Sequence, residues 1–166
     1  MTSVDKNDLP LNDLLVVDLS RLVSGNILTH VLADLGAEVL KIESPGKGDD
    51  LRAWRRGGVS TYWLAYCRNK QSVALNLREA DDLQALKDLL SRADVLVENF
   101  RPGVLEKMGL SRAQLQTINP KLVVMRISGW GQTGLFAGKP GFGSLIEAFS
   151  GFAAMSAGVA LGLVLL

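Results

Sequence analysis

The chain has 166 residues, 48% hydrophobic and 21% charged, a composition that excludes disorder as its main state. Lys and Arg number 18 against 17 Asp and Glu, so a net charge of +1 supplies no global field to recruit nucleic acid. One cysteine, Cys67, excludes a disulfide framework, and with one histidine, His30, it excludes the usual zinc constellations and any metal site built on them.

The opening MTSVDKNDLP is polar and acidic, unlike a signal or transit peptide, and with the lone thiol it predicts a reducing, cytoplasmic setting. Leu14–Leu19 is a short apolar run of the kind that forms a buried strand. A loop through Ser24 and Gly25 is expected next. Ile27, Leu28, Val31, Leu32 and Leu35 then recur at helical spacing, with Gly36 as the stop. Glu38–Ile42 reads as a second strand, completing a unit of the length a parallel crossover needs. The pattern repeats with a strand over Ser72–Leu77, a helix carrying Leu83, Leu86, Leu89 and Leu90, and a strand over Asp94–Glu98. Pro102 is placed to open a short helix, Ser111 to cap another, and Leu122–Ile127 supplies a fifth strand. Alternating strands and helices predict a doubly wound α/β domain with a mostly parallel sheet. Ligands of such sheets gather at the carboxyl ends of the strands, here the loops after Leu19, Ile42, Glu98 and Ile127.

The organisation expected is a polar segment over 1–12, the α/β domain over 13–155, and an apolar tail over 156–166 that reads as a truncation point. Ala148–Leu166 runs 19 residues without a charge, long enough to span a membrane, and holds a Gly158-x-x-x-Gly162 spacing. Three glycines, two serines and the lack of a cationic flank favour a buried helix over an anchor.

Charge is spread unevenly. Met1–Leu40 holds six acids and two bases, a balance of −4, whereas Lys41–Arg78 holds eight bases and three acids, a balance of +5. A local basic stretch in a neutral chain suits a small anion, and a solvated basic face is the plainer alternative. Arg68-Asn69-Lys70 ahead of the third strand, Arg78 after it, and Lys107 are the candidate anion contacts. Asn99-Phe100 follows the fourth strand directly. It offers an amide and a stacking face, or equally a turn asparagine and a core aromatic. Gly129-Trp130-Gly131-Gln132-Thr133-Gly134 is either a mobile flap or an inert loop of tight turns. A dinucleotide fold would need G-x-G-x-x-G after the first strand, where Ser20–Gly25 has one glycine, so NAD is disfavoured even though Glu43 sits where a ribose-binding acid would. No phosphate loop and no G-x-S-x-G elbow are present. His30, inside the first helix, and Cys67, with no base partner, read as structural.

Four blocks taken together carry a family resemblance: LADLGAEVLKIESPGKGDDLR (Leu32–Arg52), RNKQSVALNL (Arg68–Leu77), DVLVENFRPGVLEKMGL (Asp94–Leu110) and NPKLVVMRISGWGQTG (Asn119–Gly134). In this order and spacing the chain resembles the class III coenzyme A transferases of the CaiB/BaiF type. That group includes formyl-CoA and carnitine-CoA transferases and the α-methylacyl-CoA racemases. The resemblance implies most of a Rossmann-like coenzyme-binding domain from the N-terminal part of a longer, dimeric enzyme. It implies coenzyme A as the ligand, an acyl-CoA and a carboxylic acid as substrates, and no metal. The coenzyme contacts it implies are Leu22, Val23, Leu75, Arg78, Asn99, Phe100, Lys107 and Met108. The family's nucleophile is an aspartate shortly beyond the segment matching Gly141–Met155. No matching aspartate follows within these 166 residues, so the chain alone is expected to be inactive. Asn26 stands where proline is usual, Cys67 where asparagine is usual and Leu135 where proline is common. Phe142 stands where the racemases carry histidine, which speaks for the transferase branch. A racemase-like enzyme, a non-catalytic remnant and an NAD-binding domain are the alternatives.

Overall fold

The computed structural model describes residues 8–156. Five short strands follow the apolar runs: β1 (Leu15–Asp18), β2 (Glu38–Glu43), β3 (Gln71–Ala74), β4 (Val95–Glu98) and β5 (Val123–Arg126). All neighbours pair in parallel, in the order β3-β2-β1-β4-β5. Chain order therefore reverses between β1 and β4, which opens a crevice at their carboxyl ends. The doubly wound, mostly parallel α/β expectation holds.

Side chains alternate across the sheet, so each face collects its own core. On one face Val16, Val39 and Val97 meet Ala33, Leu28 and Leu32 of helix α1 (Leu22–Asp34). On the other, Val17, Ile42 and Leu96 meet Leu86 and Leu90 of α3 (Ala80–Leu90), Leu105 of α4 (Val104–Lys107) and Leu115 of α5 (Arg112–Ile118). Leu86, Leu90 and Leu96 are wholly buried, and each contributes about 1.5–3 kcal/mol of transfer free energy. Leu11, within the N-terminal segment, packs on the α1 face and donates its N–H to the Leu35 carbonyl at 3.0 Å.

Several boundaries differ from the sequence pattern. Helix α1 begins five residues before Ile27, so Ser24 and Gly25 are helical rather than a loop. The reason is packing: a Cβ on Gly25 would lie 2.1 Å from Ser20 Cβ, so only glycine lets the first turn sit against the end of β1. Gly36 ends the helix as expected, at φ +109°, a conformation that disfavours side chains. β3 stops at Ala74 rather than Leu77, although the Leu75 N–H still reaches the Glu43 carbonyl at 2.9 Å. Pro102 does not open α4: it lies in the preceding turn and left-handed Gly103 is the cap. Ser111 caps α5 as expected, in a reciprocal box with Gln114. The remaining helix of this body, α2 (Thr61–Tyr66), follows a short 3-10 turn over Asp50–Ala53.

The chain forms two compact units, 1–127 and 128–166. Within the second, α6 (Gly143–Phe149) contributes Phe149 to an aromatic cluster with Trp130 and Phe136, at centroid spacings of 5.0–6.0 Å. Gly129 lies against Gly141, and the Trp130 indole donates to the Pro140 carbonyl at 3.0 Å, so this loop is closed on itself. Residues 157–166, which hold most of the apolar tail and its Gly-x-x-x-Gly spacing, lie outside the described residues. Among the described residues no helix is long and apolar enough to cross a membrane.

Candidate functional site

The loops at the carboxyl ends of β1 to β4 enclose a cleft of about 200 Å³. Leu19, Ser20 and Arg21 enter it from β1, Glu43, Ser44, Gly48 and Asp49 from β2, Leu75 to Arg78 from β3, and Phe100 and Met108 from beyond β4. The wall is mixed, with apolar surface from Leu19, Leu75, Phe100 and Met108 and two guanidinium groups, Arg21 and Arg78. Arg78 has no ion-pair partner among the described residues, whereas Arg21, half-exposed, pairs with Asp50. Asp50 is held below the usual carboxylate range by the Lys47 hydrogen bond and by Arg21, against a smaller opposing push from burial.

Of the eight coenzyme contacts the sequence implied, Leu75, Arg78, Phe100 and Met108 share this cleft. Leu22 and Val23 form the first turn of α1 and are not in its wall; Lys107 closes α4 beside Met108 and is likewise outside it. Asn99 is not an open amide. Its Oδ1 accepts the Arg21 N–H at 2.7 Å and its Nδ2 donates to the Arg21 carbonyl at 2.7 Å, tying the β4 loop to the β1 loop across the crevice.

The basic stretch is mostly neutralised from within. Lys41, 1% exposed, lies between Asp18 Oδ1 (3.4 Å) and Asp49 Oδ2 (3.2 Å) and also donates to the Ser20 carbonyl. Lys70 is buried as well, and its ammonium donates to Thr29 Oγ1 at 2.6 Å and lies 3.3 Å from Asp18 Oδ2. Arg68 and Asn69 both bind Asp34. Arg68-Asn69-Lys70 is therefore structural, and the anion-binding reading of that triplet fails because acids distant in sequence already occupy its donors. Glu43 adds a fourth link: it accepts from Arg52, from the Ser72 hydroxyl at 2.5 Å and from the Asp49 N–H at 2.7 Å. Burial pushes its carboxyl up, but these donors outweigh it and hold the pKa at about 2.

His30 and Cys67 behave as structural residues. The His30 Nε2 lies 3.4 Å from Asp34 Oδ2, and its ring meets Tyr66 edge-on. Burial pushes the Cys67 thiol up to about 11 despite Lys70 and Lys41 nearby. Among the described residues no cluster of three or more His, Cys, Asp or Glu is arranged to hold a metal ion. Arg21, Asn76 and Asp49 are wall residues that the sequence did not single out, and Glu43 was noted only for its resemblance in position to a ribose-binding acid. For Arg21 a signal existed, its place directly after the first apolar run at a strand end.

Comparison with known proteins bears on what such a cleft holds. The model of CoA-transferase family III matches residues 11–161. The chain belongs to that family. Among curated relatives, this family III chain is 43% identical over 150 residues to succinyl-CoA--D-citramalate CoA-transferase of Chloroflexus aurantiacus, covering 89% of this chain and 37% of the relative. It is 42% identical over 144 residues to acetyl-CoA:oxalate CoA-transferase of Acetobacter aceti (86% and 37%) and 40% identical over 151 residues to human succinyl-CoA:glutarate CoA-transferase (89% and 34%). The chain thus spans little more than a third of the length of these relatives. Among solved structures, a CAIB/BAIF family protein from Brucella suis superposes with a TM-score of 0.81 at 37% identity, covering 86% of this chain and 39% of that one. The relatives named here are CoA-transferases, which lends nothing to the racemase, remnant or NAD-binding alternatives.

Proposed function

We propose that this family III chain grips coenzyme A for an enzyme that moves CoA from an acyl-CoA thioester to a carboxylic acid. The observation that carries the reading is the cleft at the carboxyl ends of β1 to β4, whose lining brings Arg78, without an ion-pair partner among the described residues, together with Phe100 and Met108. A cation for phosphate, an aromatic face for a base and apolar surface for a pantetheine arm suit the three parts of CoA. In this reading Leu75, Arg78, Phe100 and Met108 touch the coenzyme, with Leu22, Val23, Asn99 and Lys107 at the rim. The acceptor class is a dicarboxylate, as in the relatives whose names specify malate, citramalate, oxalate or glutarate.

The chemistry proposed for the whole enzyme is nucleophilic catalysis by an aspartate, which the family places beyond the segment matching Gly141–Met155. The carboxylate attacks the donor thioester, giving a mixed anhydride and CoA thiolate. The thiolate attacks the aspartyl carbonyl and expels the donor acid, leaving an aspartyl-CoA thioester. The acceptor carboxylate then repeats the exchange in reverse, leaving as its own thioester and restoring the aspartate. The 166 residues supply the coenzyme grip, and a homodimer is the assembly the resemblance implies.

Titration calorimetry of the chain with CoA tests the reading. Saturable heat is expected below millimolar ligand, with Arg78→Met weakening binding about tenfold, the size of one charge-assisted contact. No heat at millimolar CoA, or an Arg78→Met protein that binds as tightly as the parent, overturns it.

A further inference from the structure

The turn Ser20–Leu22 is the point where β1 enters the cleft, and each of its six backbone polar groups meets a side chain from elsewhere in the chain. The Ser20 N–H donates to Asp18 Oδ1 (2.9 Å) and the Ser20 carbonyl accepts from Lys41. Both polar groups of Arg21 meet the Asn99 amide. The Leu22 N–H donates to Asp49 Oδ1 at 3.1 Å, and the Leu22 carbonyl accepts from Asn26 Nδ2 at 2.5 Å. Leu22 meanwhile has φ +60°, a left-handed conformation that a leucine does not adopt unaided.

Asn26 is the keystone of that arrangement. It is wholly buried, and its Nδ2 reaches both the Leu22 carbonyl and Asp49 Oδ2 (2.9 Å), so one amide clamps the two sides of the turn. Its Oδ1 in turn accepts from the Lys70 ammonium at 3.2 Å, which fixes which way the amide faces. What the turn presents is Arg21, on the cleft wall. We propose that Asn26 is a positioning residue for ligand binding: its amide holds Ser20–Leu22 in the one shape that sets Arg21 on the cleft wall, where its guanidinium, held on one side by Asp50, meets a phosphate group with its remaining N–H donors. The inference rests on the cleft being the coenzyme site, and pre-organisation of this kind reduces the ordering cost of binding.

A double-variant cycle separates positioning from plain stabilisation. CoA affinity is measured by calorimetry for the parent, Asn26→Ala, Arg21→Met and the pair, with amide hydrogen exchange at Arg21 and Leu22 in the ligand-free proteins. Each single change is expected to weaken CoA about tenfold, and the pair no more than Arg21→Met alone, because Asn26 acts through Arg21. Asn26→Ser, whose hydroxyl reaches back to the carbonyl four residues earlier, recovers most of the affinity. Losses that multiply in the pair, or no loss on Asn26→Ala, overturn the proposal. Should the parent itself not bind CoA, the coenzyme reading fails and exchange decides the turn by itself. Slow exchange of the Leu22 amide in the parent, faster by tenfold or more in Asn26→Ala, supports the lock. Loop-like exchange in the parent overturns it without any variant, including the case in which Asn26→Ala does not fold.

Discussion

Replacing Lys41 by methionine tests whether the ion cluster beneath the cleft is structural. The side chain is 1% exposed, and its ammonium serves three acceptors: Asp18, Asp49 and the Ser20 carbonyl. Methionine matches the length of the aliphatic stem but leaves the carbonyl without this donor and removes a countercharge from two buried carboxylates. Breaking a buried pair from one side costs about 3–5 kcal/mol. Asp18 keeps Ser20, Thr29 and Lys70, and Asp49 keeps two backbone N–H groups and Asn26, so the lower end of that range is expected. With a urea slope of about 2 kcal/mol/M, a loss of about 3 kcal/mol moves the unfolding midpoint down by about 1.5 M. Circular dichroism at 222 nm through a urea series measures it, with the slope checked for constancy. A midpoint within about 0.3 M of the parent would show that the surviving donors suffice and that this cluster does not hold the first strand's exit.

Two further outcomes follow from the electrostatics. Glu43, with a folded-state pKa of about 2 against an ordinary value of 4.5, contributes stability that is fully present above pH 4.5 and is lost as the pH falls towards 2. The full contribution is about 3 kcal/mol, so Glu43→Gln should flatten the acid side of a stability-against-pH curve, and an unchanged acid limb refutes this. Cys67, raised from 9.0 to about 11, should be alkylated by iodoacetamide at neutral pH about 100-fold more slowly than a free thiol, in proportion to its thiolate fraction. Rapid stoichiometric labelling of native protein, followed by mass spectrometry, would contradict the burial that raises it.

The strands and their parallel pairing, though not their order, were legible because most are short apolar runs bounded by turn residues and alternate with helical segments of crossover length. The α5 cap was legible because Ser111 and Gln114 act within one turn. The start of α1 was not, since Ser24-Gly25 has loop composition and only the closeness of Ser20 explains the glycine. The charge of Lys41–Arg78 misled for a related reason. A local balance of +5 says nothing of Asp18 and Asp34, which fold back on Lys41, Lys70 and Arg68 from outside the segment. At the cleft, Arg78 and Phe100 were legible from position after a strand, whereas Leu75 and Met108 came only from the family resemblance. The occupied amide of Asn99 was not, because its partner lies 78 residues away.

The two rims of the sheet are chemically unequal. Outer strand β3 shows polar Gln71 and Ser72 to its surroundings, whereas β5, at the other rim, leaves Val123 and Met125 60% and 45% accessible on one side. A sheet with two adhesive margins can polymerise without limit, while one adhesive margin satisfies itself by meeting its own copy about a two-fold axis. Should copies of this chain meet along β5, such pairing would close at two rather than grow into fibres, and a lysine in place of Val123 would oppose it.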